Sequence, residues 1–433
     1  MNSISLEHIS RIVGHIDLNV EVKDGKARAS LEILNDPRFV EALVLGKRYY
    51  DVPEITSRIC GPCSLSHTLT PIVALEKAVN VQVPEEIKML RETAILCEIA
   101  ENHVVHLYLL TLPDYLNCQD TIELAKKRLD LLKSAMALRS SAACVVRAIA
   151  GRVVHPNACI IGGFTKLPSE EKISVLISEL KRARDYAVKT VDLFLELEYP
   201  NLALRDDLYA AIHSNDGYPV LGDSIIFSND KVIQASRYHE AIKEEAVPYS
   251  TSKRITTEGR VFYVGARARV NIHWKKLSDD AREYAKSLGL PLTNPFGNIK
   301  AQAIEVLHCI DKAIENLEAL KDAVSEKVLK LDALPRAIEG EGVGLKEAPR
   351  GILIHHYRVD RTGRICYANI ITPTTINSGH IEYAAEKLVE KSLDSGVDVN
   401  EVKLNLERLV RAYDPCLGCA THLVRVNIRG YEP

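Results

Sequence analysis

Four cysteines, set as two Cys-x-x-Cys pairs, are the residues of this chain best suited to chemistry. The first pair stands in Arg58-Ile-Cys60-Gly-Pro-Cys63-Ser-Leu-Ser-His67, the second in Asp414-Pro-Cys416-Leu-Gly-Cys419-Ala-Thr-His422. Thiolates separated by two residues can chelate one metal centre, because the turn between them brings both sulfurs to one side. Here the pairs lie near opposite ends of a 433-residue chain. The pairs of a zinc ribbon lie far closer together. The spacing predicts a four-thiolate site assembled from both termini, deep inside a large enzyme.

The other six cysteines (Cys97, Cys118, Cys144, Cys159, Cys309, Cys366) are scattered singly beside apolar residues and read as small core residues. Ten cysteines without a secretory signal point to a reducing compartment and to metal use rather than disulfides. The net charge of −3 comes from 55 basic and 58 acidic side chains with no basic run, which argues against nucleic acid. Neither a signal peptide nor a run of about 18–20 apolar residues is expected to meet a membrane.

The elements that position these pairs are mostly helical. Residues 16–34 alternate apolar and polar around Asp24-Gly25 and predict a hairpin. Helices are expected over 170–199, capped by Ser169 and ended before Pro200, and over 300–324, 379–394 and 398–412. Between 201 and 300 Gly, Pro and Asn become frequent, which predicts loops with short strands, Gly259 to Val270 among them. The expectation is one mainly α body with β excursions. It has an N-terminal hairpin and first cysteine pair (1–84), a helical core (85–200), a loop and strand region (201–300), and helices with the second pair (301–422).

Arg-x-Cys-Gly-x-Cys-x-x-x-His with Asp-Pro-Cys-x-x-Cys-x-x-His resembles the paired signatures of the large, catalytic subunit of nickel–iron hydrogenases. Intermediate landmarks resemble the same family: Pro37-Arg38-Phe-Val-Glu41, Glu101-Asn-His103-Val-Val-His106, Leu112-Pro-Asp-Tyr115 and Gly162-Gly163-Phe164. Glu347-Ala-Pro349-Arg350-Gly351 and Ile371-Thr-Pro373-Thr374-Thr375 complete the set, so the likeness runs in order along nearly the whole chain. It is strongest to the cytoplasmic, bidirectional or sulfhydrogenase-like members, and it implies that family's long-helix bundle.

The resemblance implies heterolytic cleavage of dihydrogen at nickel and at an iron carrying carbonyl and cyanide. Cys60 and Cys416 would be terminal nickel ligands, and Cys63 and Cys419 would bridge nickel to iron; soft thiolates suit both metals. Cys416 would be the first proton acceptor. Arg350, permanently charged and rich in directed donors, would face cyanide nitrogen with Thr374, beside Pro349 and held by Asp414. His67 reads as a donor to a bridging sulfur rather than a ligand, and His103 and His106 read as satisfied core histidines. A magnesium-type ion would rest on Glu41, the carbonyl of Ile370 and His422. A maturation endopeptidase would cut after His422 and remove residues 423–433.

One departure stands out. In His8-Ile-Ser-Arg11-Ile-Val13-Gly14-His15 the family's relay glutamate is replaced by Val13, which cannot carry a proton. Another path, through His15 or ordered water, or slow turnover as in a dihydrogen sensor, would follow. Outside the two pairs the chain has no cysteine run for an iron–sulfur cluster, so a small subunit carrying such clusters, with further electron-transfer subunits, is implied. A non-catalytic relative of the complex I quinone module is the competing class, and the four cysteines argue against it.

Overall fold

The computed structural model describes residues 3–36, 38–215, 217–321 and 339–421. Strands Ile16–Lys23 and Lys26–Ile33 pair antiparallel, from Ile16 opposite Ile33 to Lys23 opposite Lys26. The turn Asp24-Gly25 has φ of 51° and 75°, the left-handed pair a two-residue hairpin requires. A third strand, Ser3–Leu6, pairs with the first. The exposed edge of Lys26–Ile33 is closed by a helix from the other end of the chain, Pro373–Asp394. Backbone N–H groups of Ala27, Ala29 and Leu31 donate to Glu390, Glu386 and Glu382 at 3.2, 3.0 and 2.9 Å. Four helical residues rise about 6.0 Å and two strand residues about 6.6 Å, so glutamates every fourth position meet donors every second.

The body is built from helices Glu85–Val105, Leu129–Ala150, Glu170–Glu196 and Gly297–Leu320, packed side by side. Ser169 caps the third of these by accepting from Lys172 N at 3.2 Å, as expected. Gly297–Leu320 starts three residues before the expected helix and is buried on most of its surface. Glu85–Val105 runs on through a π turn, His106–Thr111, and a short 3-10 turn, Leu112–Tyr115. That 31-residue stretch, contrary to expectation, is long and apolar enough to cross a membrane, but 83% of its apolar window is buried inside the protein. It packs as a core helix.

Between the body and the second cysteine pair lies a four-stranded antiparallel sheet, in the order Ile365–Ile371, Gly351–Val359, Gly340–Ala348, Leu221–Gly222. The expectation of helices over 301–422 missed it. Gly351–Val359 is buried on both faces over Ile352, Leu353 and Ile354, and such a strand shows no alternation to read. Gly259–Val270 also differs: no strand forms there, and a helix, Ala266–His273, begins instead. Tertiary pairing explains the winding, since Arg267 stacks 3.6 Å from the Tyr263 ring centroid and Arg269 is paired with Glu305 and Glu347. Four of the six scattered cysteines are buried; Cys144 is half-buried and Cys366 is exposed.

Candidate metal centre

Each cysteine pair sits at the start of a helix, the first just ahead of it and the second across it. Cys63 is the residue before Ser64–Ala78, and Cys416 the residue before Leu417–Ala420. Chain ends separated by most of the sequence are stitched together here: Val13 bridges Cys416 in parallel, and Leu417 N donates to Val13 O at 2.8 Å. The four sulfurs lie within 4.8 Å of one another and all four residues are buried. Cys60 and Cys416 Sγ are 3.5 Å apart, as are Cys63 and Cys419 Sγ. Those separations are far beyond the ~2.05 Å of a disulfide. Among the described residues no other set of three His, Cys, Asp or Glu side chains comes together in this way.

Charge in the cluster settles on one sulfur. Hydrogen bonds from Cys419, then Cys60 and Cys63, hold the Cys416 thiol well below its ordinary value, and Arg350 adds to this. The same sharing with Cys416 pushes Cys63 and Cys419 up. Burial works against the Arg350 charge, but Asp414, and then the sulfurs of Cys416, Cys63 and Cys60, outweigh it and hold its pKa above the ordinary value. Arg350 Nε donates to Asp414 O at 2.7 Å, Nη2 to Asp414 Oδ1 at 2.9 Å, and Nη1 to Asn102 Oδ1 at 3.3 Å. The guanidinium is thereby fixed by three bonds.

The backbone under Arg350 is tightly placed. Gly351 has φ of 126°, and a Cβ there would overlap Val264 and the backbone of Gly265. Beside the sulfurs is a narrow void of about 10 Å³, lined by Cys63, Cys416, Cys419, Pro349, Arg350 and Thr374 with His67 in its wall. Thr374 Oγ1 accepts from Cys416 N at 3.0 Å, which leaves its O–H free to donate. His67 Nδ1 has no partner among the described residues, and burial takes this imidazole down to about 3, so the ring is neutral.

Other expected residues are placed less directly. Glu41 lies on the short helix Val40–Val44, which packs on Ile365–Ile371, the strand of Ile370. Burial, and then Glu41, push the Tyr357 hydroxyl well up. His422 and the 423–433 tail lie outside the described residues. His15 is exposed, with its ring edge-on to His8 at 6.3 Å. Both ring nitrogens of His106 are bonded, Nδ1 to Gln302 Oε1 at 2.5 Å and Nε2 to Arg411 O at 2.7 Å, as expected of a satisfied core histidine; His103 Nε2 bonds Glu305 Oε2 at 2.9 Å, but its buried Nδ1 has no partner among the described residues.

Three contributions escaped the sequence reading. Arg38 Nη1 donates to the carbonyls of Arg58 and Ile59, and its Nη2 lies against Gly418, so it ties the two cysteine motifs together. Asn102 Nδ2 donates to Pro62 O at 2.9 Å, linking the first pair to Arg350. Lys346 is buried with Glu98 and Ser66 next to the first pair. Arg38 and Asn102 stand inside landmarks of the resemblance, but their roles depend on partners outside those segments, which no local pattern marks.

The chain fits a soft-metal centre: four buried thiols converge, a fixed cation faces them, and the adjoining void is small and mostly apolar. Comparison with known proteins agrees. The family described as nickel-dependent hydrogenase matches residues 38–153 and 227–422. The chain is 34% identical to sulfhydrogenase 1 subunit alpha of Pyrococcus furiosus over 427 residues, covering 98% of each chain. It is 28% identical to the NAD-reducing hydrogenase HoxS subunit beta of Cupriavidus necator, covering 96% of this chain and 94% of that one. In fold it superposes on a crystal structure of an NAD+-reducing [NiFe]-hydrogenase with a TM-score of 0.85 and 24% identity, covering 98% of this chain and all of the other. With the family matched over most of its length and a relative above 30% identity end to end, this chain belongs to the nickel-dependent hydrogenase family.

Proposed function

We propose that the chain is the catalytic subunit of a hydrogenase that cleaves dihydrogen reversibly into two protons and two electrons. The observation that carries this reading is the convergence of Cys60, Cys63, Cys416 and Cys419 beside a small void walled by Arg350. All four thiolates would hold nickel, and Cys63 and Cys419, which line the void together, would also hold iron with its carbonyl and cyanide. With both metals bound, the centre supplies the electrophile that polarises dihydrogen and the capacity to accept its electrons.

The protein supplies the rest. Cys416 Sγ, which lines the void beside Arg350 and Thr374, would take the proton. Arg350, clamped by Asp414 and Asn102, presents donors to the void without having to reorganise, and Thr374 can donate beside it. Pro349, Ala348 and Pro373 keep the void apolar and exclude water. Glu41, the Ile370 carbonyl and His422 would hold a magnesium-type ion, in keeping with the packing of the Glu41 helix on the Ile370 strand.

Electrons must leave through another chain, because the remaining cysteines are single and dispersed. An iron–sulfur small subunit, with further electron-transfer subunits, is the partner class; the relatives named are alpha and beta subunits of such assemblies. A cytoplasmic setting accords with ten cysteines that are all free thiols. The test is elemental analysis with infrared spectroscopy of the purified complex. Nickel and iron in equal amounts, with carbonyl and cyanide absorptions, are expected; zinc alone would sink the assignment.

A further inference from the structure

Strand Gly340–Ala348 crosses helix Ser64–Ala78 at unusually close range. Its glycines alternate: Gly340, Gly342 and Gly344 share one face, and a Cβ on them would overlap the carbonyl oxygens of Ala78, Ala74 and Thr70. Two strand residues thus step along four helix residues, and the next pair in register is Lys346 with Ser66. Where the glycines leave no room for a side chain, this position carries a lysine. Its side chain is fully buried, with Nζ 2.5 Å from Ser66 Oγ and 2.8 Å from Glu98 Oε2. Ser66 N and Oγ also donate to Glu98, at 3.0 and 2.5 Å. One step further on the same face, about 6.6 Å along the strand, Ala348 packs against the four cysteines.

A buried Lys–Glu pair adds little stability, because desolvating both charges consumes most of what their attraction returns. An apolar side chain would fill the same space at no such cost. The pair therefore calls for an electrostatic explanation, and its orientation supplies one. Burial first, then Lys346 and Arg38, lower the His67 imidazole in the wall of the void. Burial also lowers the Lys346 pKa, and Glu98, then Cys63, work against it. With Ala348 one step along the strand and Ser66 just past Cys63 in the chain, the ammonium stands beside the first cysteine pair.

Resting on the nickel–iron reading above, we propose that Lys346 is a positioning residue for electron density: a second buried cation, besides Arg350, that withdraws charge from the centre through the Cys63 side. Ser66 and Glu98 hold the ammonium in register and balance it without cancelling its local field. The interior's low polarisability lets such a charge act beyond direct contact.

The test is infrared spectroscopy of the complete multi-subunit protein carrying Lys346→Met, and carrying Lys346→Met with Glu98→Gln, which leaves no unpaired buried charge. Removing the cation enriches the iron, so its carbonyl and cyanide absorptions move to lower wavenumber in both variants, with nickel and iron content retained. Lys346→Arg returns them towards their original positions. Bands that stay in place in both variants overturn the inference, and so does loss of the metals from a folded protein, since a role in assembly would then suffice. Absence of carbonyl and cyanide bands from the unmodified protein is a different outcome: it removes the nickel–iron reading itself.

Discussion

At the scale of single residues, the centre combines what it must hold with what it must keep out. Val13 belongs to the second group. It packs on the cluster formed by the four cysteines, and its carbonyl fixes Leu417, so the backbone at this position is needed whatever the side chain. A valine next to Cys416 passes no proton onward, and His15, two residues along, is exposed and turned to His8. A carboxylate in place of that isopropyl group would supply an acceptor beside the sulfur, and positioned acids and bases contribute about 10²–10⁴-fold to proton transfer. Val13→Glu is accordingly expected to raise proton–deuterium exchange about 10²-fold, the low end of that range, with nickel content unchanged. Exchange that stays at the unmodified rate would mean that another route already carries the protons.

At the scale of elements, the parts that could be read from sequence were those whose pattern is local. The hairpin announced itself through Asp24-Gly25 and the alternation of Ile16, Leu18 and Val20, and both cysteine pairs through their spacing. The sheet over 340–371 did not, because strands covered on both faces lose their period; Ala266–His273 did not, because buried arginine pairs decide its winding. The Gly340-x-Gly342-x-Gly344 face, which the sequence reading did not single out, lies tight against helix Ser64–Ala78. That interface predicts a mutation. In Gly342→Ala the added methyl would meet the Ala74 carbonyl oxygen and the Ala78 nitrogen, both backbone atoms that cannot turn aside. Overpacking of this kind costs about 1–3 kcal/mol or more, and it would push the strand bearing Lys346 and Ala348 away from the first cysteine pair. Chemical unfolding should show the destabilisation together with a fall in nickel retained; a variant as stable and as nickel-replete as the parent would refute the tight crossing.

At the scale of the whole molecule, one apolar core runs from Ile4 to Ala420, and the metal centre sits where the two ends of the chain meet. The edge of the N-terminal hairpin closed by Glu382, Glu386 and Glu390 belongs to the same logic, since it ties the first 33 residues to a helix that leads towards the second cysteine pair. Away from the centre the core also buries histidines. Tyr218 lies between the rings of His273 and His308, at centroid distances of 6.1 and 4.6 Å. Burial is the first cause that takes both imidazoles down, each to about 4. His308 accepts from Ser278 N at 3.0 Å, which a protonated ring could not do at that nitrogen, whereas the His273 Nε2 bond to the Ile212 carbonyl at 2.8 Å works against burial without overcoming it. In the unfolded chain these rings titrate near 6.5. Below that value the unfolded state binds protons that the folded state refuses, so stability is intact above about pH 6.5 and declines as pH falls towards 4. Each group contributes a slope of up to about 1.4 kcal/mol per pH unit across that window. Urea unfolding between pH 7 and 4.5 should follow this decline, and His308→Gln should make it shallower; a transition midpoint constant through that range would show that the buried imidazoles are not the neutral core residues that their surroundings require.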